Sequence, residues 1–113
     1  MNEWIEWIER GECLKQVHNE INFEIGDWLL EQEGNDEAYQ YIDWLDYSLM
    51  SKLKRMAVMF APAVRGLSWT SYIYLARLED PQRTEILTEA LKYGLRSKEV
   101  LHLVKRAKIK LLT

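Results

Sequence analysis

The sequence predicts an all-α fold, a compact bundle of about six or seven helices containing two helix-turn-helix-like units. Three observations carry this reading. Apolar residues recur at spacings of three and four along nearly the whole chain. Strand-type alternation is almost absent. Glycine or proline falls at the breaks, at Gly11, Gly34, Pro62, Gly66, Pro81 and Gly94. A length of 113 residues fits one helical domain, and five tryptophans, six tyrosines and two phenylalanines supply a core without disulfides.

The first predicted helix opens at Asn2 or Glu3 and closes near Gly11, with Trp4, Ile5, Trp7 and Ile8 on one side. The second runs from Glu12 to Glu33. Leu14, Val17, Ile21, Ile25, Trp28 and Leu29 form its core stripe, and Gly26 inside it marks a kink or a close helix contact. Gly34 stands just past that helix, and Asn35 is placed to cap the third, Asp36 to Leu45. Ser48 is the expected cap of the fourth, whose inner face is Met50, Leu53, Met56, Ala57 and Phe60. Ser68 caps the fifth, Trp69 to Leu78. Asp80-Pro81 reads as a capping carboxylate followed by proline in the first helical position. The sixth helix, Pro81 to Tyr93, ends at Gly94, and Ser97 caps a seventh running to Leu112. The domain thus divides into acidic N-terminal helices over 1–34 and helix-turn-helix candidates over 35–61 and 67–112.

Charge is unevenly spread. Residues 1–50 hold 13 Asp and Glu against Arg10 and Lys15, a net of −11, whereas residues 51–113 hold 13 Lys and Arg against five acids, a net of +8. Such asymmetry points to a polyanion partner or an acidic interaction surface, or to two halves that cancel one another.

A single cysteine, Cys13, fits a reducing compartment. The acids Glu3, Glu6, Glu9 and Glu12 suit no secretory leader, and no apolar run is long enough for a membrane span. A cytoplasmic protein is expected. His18 and His102 lie far apart, and the chain has no Gly-rich phosphate loop, no Gly-x-Ser-x-Gly turn and no His-Glu-x-x-His pair. No metal, no cofactor and no enzymatic activity are expected.

A helix-turn-helix needs a short turn, apolar inner faces and polar or basic side chains outside the second helix. On the fourth helix, steps of 100° put Ser51, Arg55 and Val58 outward, flanked by Lys52 and Lys54. On the seventh, Val100, Leu101, Val104, Ala107 and Leu111 turn inward, leaving Lys98, His102, Lys105, Arg106 and Ile109 outside. Arg65 before the fifth helix and Arg96 in the last turn join the candidate DNA-contacting residues. Trp4, Ile5, Trp7 and Ile8 suit either this chain's core or a homodimer contact, which pseudo-palindromic operators require.

The segments GDWLLEQE, RMAVMF-AP, GLSWTSYIYLARLEDP and EALKYGLRSKEV, within residues 26–104, resemble the LmbU-like transcription regulators of actinobacteria. Residues 67–104 are also similar to the N-terminal winged-helix domain of a group of bacterial restriction-type nucleases, whose catalytic core has no counterpart here. The resemblance implies an all-helical regulator, or a phage- or plasmid-type accessory protein, acting on double-stranded DNA. The competing expectation is a protein-interaction or inhibitor module that uses the acidic half, as a DNA mimic in one version.

Overall fold

The computed structural model describes residues 4–15 and 21–112. Its helices are α1 (Ile5–Lys15), α2 (Asn22–Leu30), α3 (Asp36–Tyr39), α4 (Tyr47–Met59), α5 (Trp69–Leu75), α6 (Gln82–Tyr93) and α7 (Ser97–Leu112), with a 3-10 turn at Pro62–Val64. No strand occurs among the described residues, so the fold is all-α. The chain divides into two compact units, residues 1–59 and 60–113.

In the first unit α1 does not stop at Gly11, because that glycine serves packing rather than termination. A Cβ there would stand 2.0 Å from a carbon of the Trp28 indole. Trp7 and Trp28 stack with centroids 4.2 Å apart. Each indole N–H donates to the other's backbone carbonyl, at 2.5 Å from Trp7 to Trp28 O and 2.6 Å from Trp28 to Trp7 O. Both buried indoles therefore have polar partners as well as area. The expected second helix is not continuous with its predicted start. Glu12 to Lys15 belong to α1 and a separate α2 begins at Asn22, while Val17 and His18 lie outside the described residues.

Within α2 the predicted stripe is buried at Ile25, Trp28 and Leu29. Gly26 marks the crossing with α4, since a Cβ there would meet the Leu53 carbonyl oxygen at 2.4 Å. Asn35 caps α3 as expected, its Oδ1 accepting from Ala38 N–H at 3.1 Å, after Gly34 at φ +85°.

α3 lasts only four residues, not to Leu45. Large side chains pull the following chain out of helix. Tyr39 donates its hydroxyl to Leu29 O at 2.7 Å, Trp44 stacks on Trp28, and Ile42 and Leu45 are buried from irregular backbone. Aromatic and β-branched residues have little helix propensity to set against that burial. The cap of α4 is Asp46, whose Oδ1 accepts from Leu49 N–H at 2.7 Å, so Ser48 falls inside the helix.

The second unit gathers α5, α6 and α7. Phe60 has left α4 and packs edge-on against Tyr72, centroids 4.9 Å apart. The buried Tyr72 hydroxyl donates to Val64 O and accepts from Leu67 N–H, fixing the loop that leads into α5. Ser68 caps α5 as predicted, its Oγ accepting from Ser71 N–H. Asp80 does act as a capping carboxylate, accepting from both the N–H and the hydroxyl of Thr84, but Pro81 occupies the cap position and α6 starts at Gln82. Leu75, Leu78, Ile86, Leu87, Ala90, Val100 and Val104 complete this core.

Candidate nucleic-acid interface

Gly94 ends α6 in the left-handed region (φ 61°, ψ 44°), and Leu95 N–H closes onto Ala90 O at 3.0 Å. This is the six-to-one bond of a Schellman stop, and glycine takes that conformation without Cβ strain. Only Leu95 and Arg96 then intervene before α7 begins at Ser97. The start of α7 is held from within. Glu99 Oε1 accepts from Arg96 N–H at 3.3 Å, the return arm of a capping box, which makes Ser97 the first helical residue rather than the cap. Two helices joined through a short glycine turn are the local form of a helix-turn-helix.

α7 has two chemically distinct sides. Val100 and Val104 are buried, with Leu101 and Ala107 half-buried beside them as predicted. On the opposite side Lys98, His102, Lys105 and Ile109 are exposed, and Arg106 and Lys108 flank them, also exposed. Arg96 is exposed in the turn. Lys108 was not among the predicted contacts. Its flanking position, 80° from Val100 on a helical projection, is what hid it. The second unit as a whole holds ten Lys and Arg against five Asp and Glu, a net of +5.

The first candidate module departs from the expected geometry. A single-turn α3 and a seven-residue connection, Gln40 to Asp46, stand where two packed helices and a short turn were predicted. Ser51, Lys52 and Arg55 are exposed on α4, as is Val58 at 71%. Lys54 is not on that face. It is half-buried, pairs with Glu33 at 3.1 Å and lies 4.9 Å from the Tyr39 ring centroid. Burial works against the Lys54 ammonium, but the hydrogen bond it donates to Glu33 and the proximity of Tyr39 outweigh it and hold its pKa above the usual lysine value. Burial in turn raises the Tyr39 phenol. Arg65 is also directed inward, its Nε donating to Phe60 O at 2.8 Å.

The proposed dimer residues do not share one exposed face. Trp7 is 3% exposed in the stack with Trp28, Trp4 and Ile8 are half-buried, and Ile5 is 43% exposed. No sequence signal announced the Trp7–Trp28 exchange, which joins residues 21 positions apart. Among the described residues no group of three His, Cys, Asp or Glu side chains is arranged to hold a metal ion, and no helix is long and apolar enough to cross a membrane.

Comparison of the chain with protein-family models, with curated proteins and with solved structures gives no match.

Proposed function

We propose that this protein binds double-stranded DNA as a small helix-turn-helix regulator of transcription, with α7 as the helix that enters the major groove. The observation that carries the reading is the α6–glycine turn–α7 unit, with its apolar side packed and its outer side basic. The second helix of such a unit lies in the groove while the first crosses the backbone. Arg96, Lys98, Lys105, Arg106 and Lys108 supply five exposed cations for phosphates and base edges. On this reading Ser51, Lys52 and Arg55 of α4 are not readers, and Lys54 and Arg65 serve the fold. A DNA regulator of this kind works in the cytoplasm.

Fluorescence anisotropy of a labelled duplex, titrated from 50 to 200 mM salt, tests this. Four to five neutralised phosphates correspond to a log–log slope of about −4, hence a loss of affinity of roughly 10²- to 10³-fold over that range. Undetectable binding to any duplex at low salt would remove the proposal. The second reading, a protein-interaction or inhibitor module, draws on residues 1–59, where 13 acids face five Lys and Arg, a net of −8. Recovery of one stoichiometric protein partner in the absence of nucleic acid would favour it.

A further inference from the structure

The outer face of α7 carries more than positive charge. Lys98, His102, Lys105 and Ile109 stand at i, i+4, i+7 and i+11, and all four are exposed. At 100° per residue they fall within about 60° of arc, opposite the buried Val100 and Val104. At about 1.5 Å per residue the ridge is roughly 16 Å long, the length of about five base pairs.

The chemistry of this ridge is one-sided. Lysine is a donor with no acceptor. Isoleucine offers methyl and methylene groups. α7 contains no Asn, Gln or Asp, and its one carboxylate, Glu99, has an oxygen engaged with Arg96 N–H at the helix start. Flanking Arg106 is again a donor without an acceptor. In the major groove adenine and cytosine each present an amino donor, which asks for an acceptor on the protein. Guanine presents two acceptors, N7 and O6, and thymine presents O4 and a methyl group.

Resting on the DNA reading above, we infer that α7 selects a strand of keto bases, with guanine beneath Lys98 and Lys105 and thymine beneath Ile109. His102 has a ring nitrogen of either character and tolerates more than one base between them. The ligand class is therefore a duplex with a G- and T-bearing run of about five bases on one strand and its C and A complement on the other.

The test compares three duplexes under the same salt titration. One carries the G/T run, one has the same composition with keto and amino bases alternating along each strand, and one carries 7-deazaguanine, which lacks the N7 acceptor. The G/T run is expected to bind more tightly by roughly 5- to 150-fold for each guanine contact, and 7-deazaguanine to lose most of that preference. Replacing thymine by uracil, which removes only the methyl group, should weaken wild-type binding about fourfold and leave Ile109→Ala unaffected. Lys98→Gln adds an acceptor beside a donor and should move the preference at that base from guanine to adenine. All these side chains are exposed, so folding is preserved. Equal affinity for the three duplexes, with steep salt dependence intact, would overturn the keto inference and leave DNA binding standing. Absence of salt-dependent binding to every duplex would overturn both.

Discussion

Replacing Gly26 by alanine sets two effects against each other. Alanine exceeds glycine in helix propensity by about 1 kcal/mol, so in an open helix the change stabilises. In α2 the added Cβ would stand 2.4 Å from Leu53 O and 2.9 Å from Ala57 Cβ, where ordinary contact starts at 3.4 Å. The missing ångström cannot come from a side-chain rotation, because Leu53 O is backbone of α4. The helices must separate instead. A gap of that order forfeits a quarter to a half of the dispersion well for atoms across the seam, and Ile25, Leu29 and Leu53 there are at most 1% exposed. Overpacking a close-packed core costs about 1–3 kcal/mol. With backbone as the obstacle the upper end applies, and subtracting the propensity gain leaves a net loss of about 2 kcal/mol. For a unit of this size that lowers the melting temperature by roughly 8–16 °C. Trp4, Trp7, Trp28 and Trp44 all lie in residues 1–59, so tryptophan fluorescence during heat or urea unfolding mainly follows this unit. An unchanged or raised midpoint would refute the reasoning, because it would mean that propensity governs and α4 does not press on α2 at this point.

Trp7→Phe keeps a ring on Trp28 but removes the N–H that reaches Trp28 O; the same unfolding assay should show a loss of about 1–3 kcal/mol. Lys54→Ala breaks a pair whose Glu33 partner is 57% exposed, so solvent screening keeps the stability loss below about 1 kcal/mol. Duplex affinity should not change in that variant, whereas Arg96→Ala and Lys108→Ala, which remove cations left for phosphates, should each reduce the salt slope by about 1. The Thr84 hydroxyl, aided by Arg83 and the Thr84 N–H, holds the Asp80 carboxyl below its ordinary value. Its stabilising contribution is therefore present above the unfolded pKa and lost as pH falls through the folded one, so the difference in urea midpoint between wild type and Asp80→Asn should shrink below about pH 3.9. Burial raises the Tyr72 phenol. Its contribution is present below about pH 10 and lost as pH rises through the folded value, and the advantage of wild type over Tyr72→Phe should decline there.

What could be read from the sequence was the chemistry that acts over one turn of chain. Asn35, Ser68 and Gly94 do locally what their types favour, and the stripe Ile25, Trp28, Leu29 faces inward because helical period alone sets it. Errors arose where distant contacts overrode local preference. Gly11 looked like a helix end, yet it is the space that the Trp28 indole occupies. Helix three looked periodic to Leu45, yet Tyr39 and Trp44 bond and stack away from a helical path. Lys54 looked like a surface cation because Glu33, 21 residues earlier, leaves no trace in local spacing. The basic side of α7 was legible for the opposite reason. Lys98, His102 and Lys105 are exposed, where helical period alone puts them.

A net charge of −3 does not count against the proposed DNA reading, because total charge is the wrong quantity for the question. At physiological ionic strength the Debye length is about 8 Å, and α7, at 16 residues, is roughly 24 Å long. A phosphate against Arg96 or Lys108 therefore responds chiefly to charges on and near α7. There six exposed cations, Arg96, Lys98, Lys105, Arg106, Lys108 and Lys110, outnumber the nearby acids, Glu99, which is hydrogen-bonded at the helix start, and Glu85 and Glu89 of α6. Near 0.01 M salt, where the Debye length reaches about 30 Å, the net charge of −3 acts as a whole and opposes the approach of any duplex whatever its sequence. That repulsion opposes the sequence-independent part of binding and leaves base-edge contacts untouched. On the proposed DNA reading, a locally basic helix in an acidic chain gains discrimination at the expense of indiscriminate affinity.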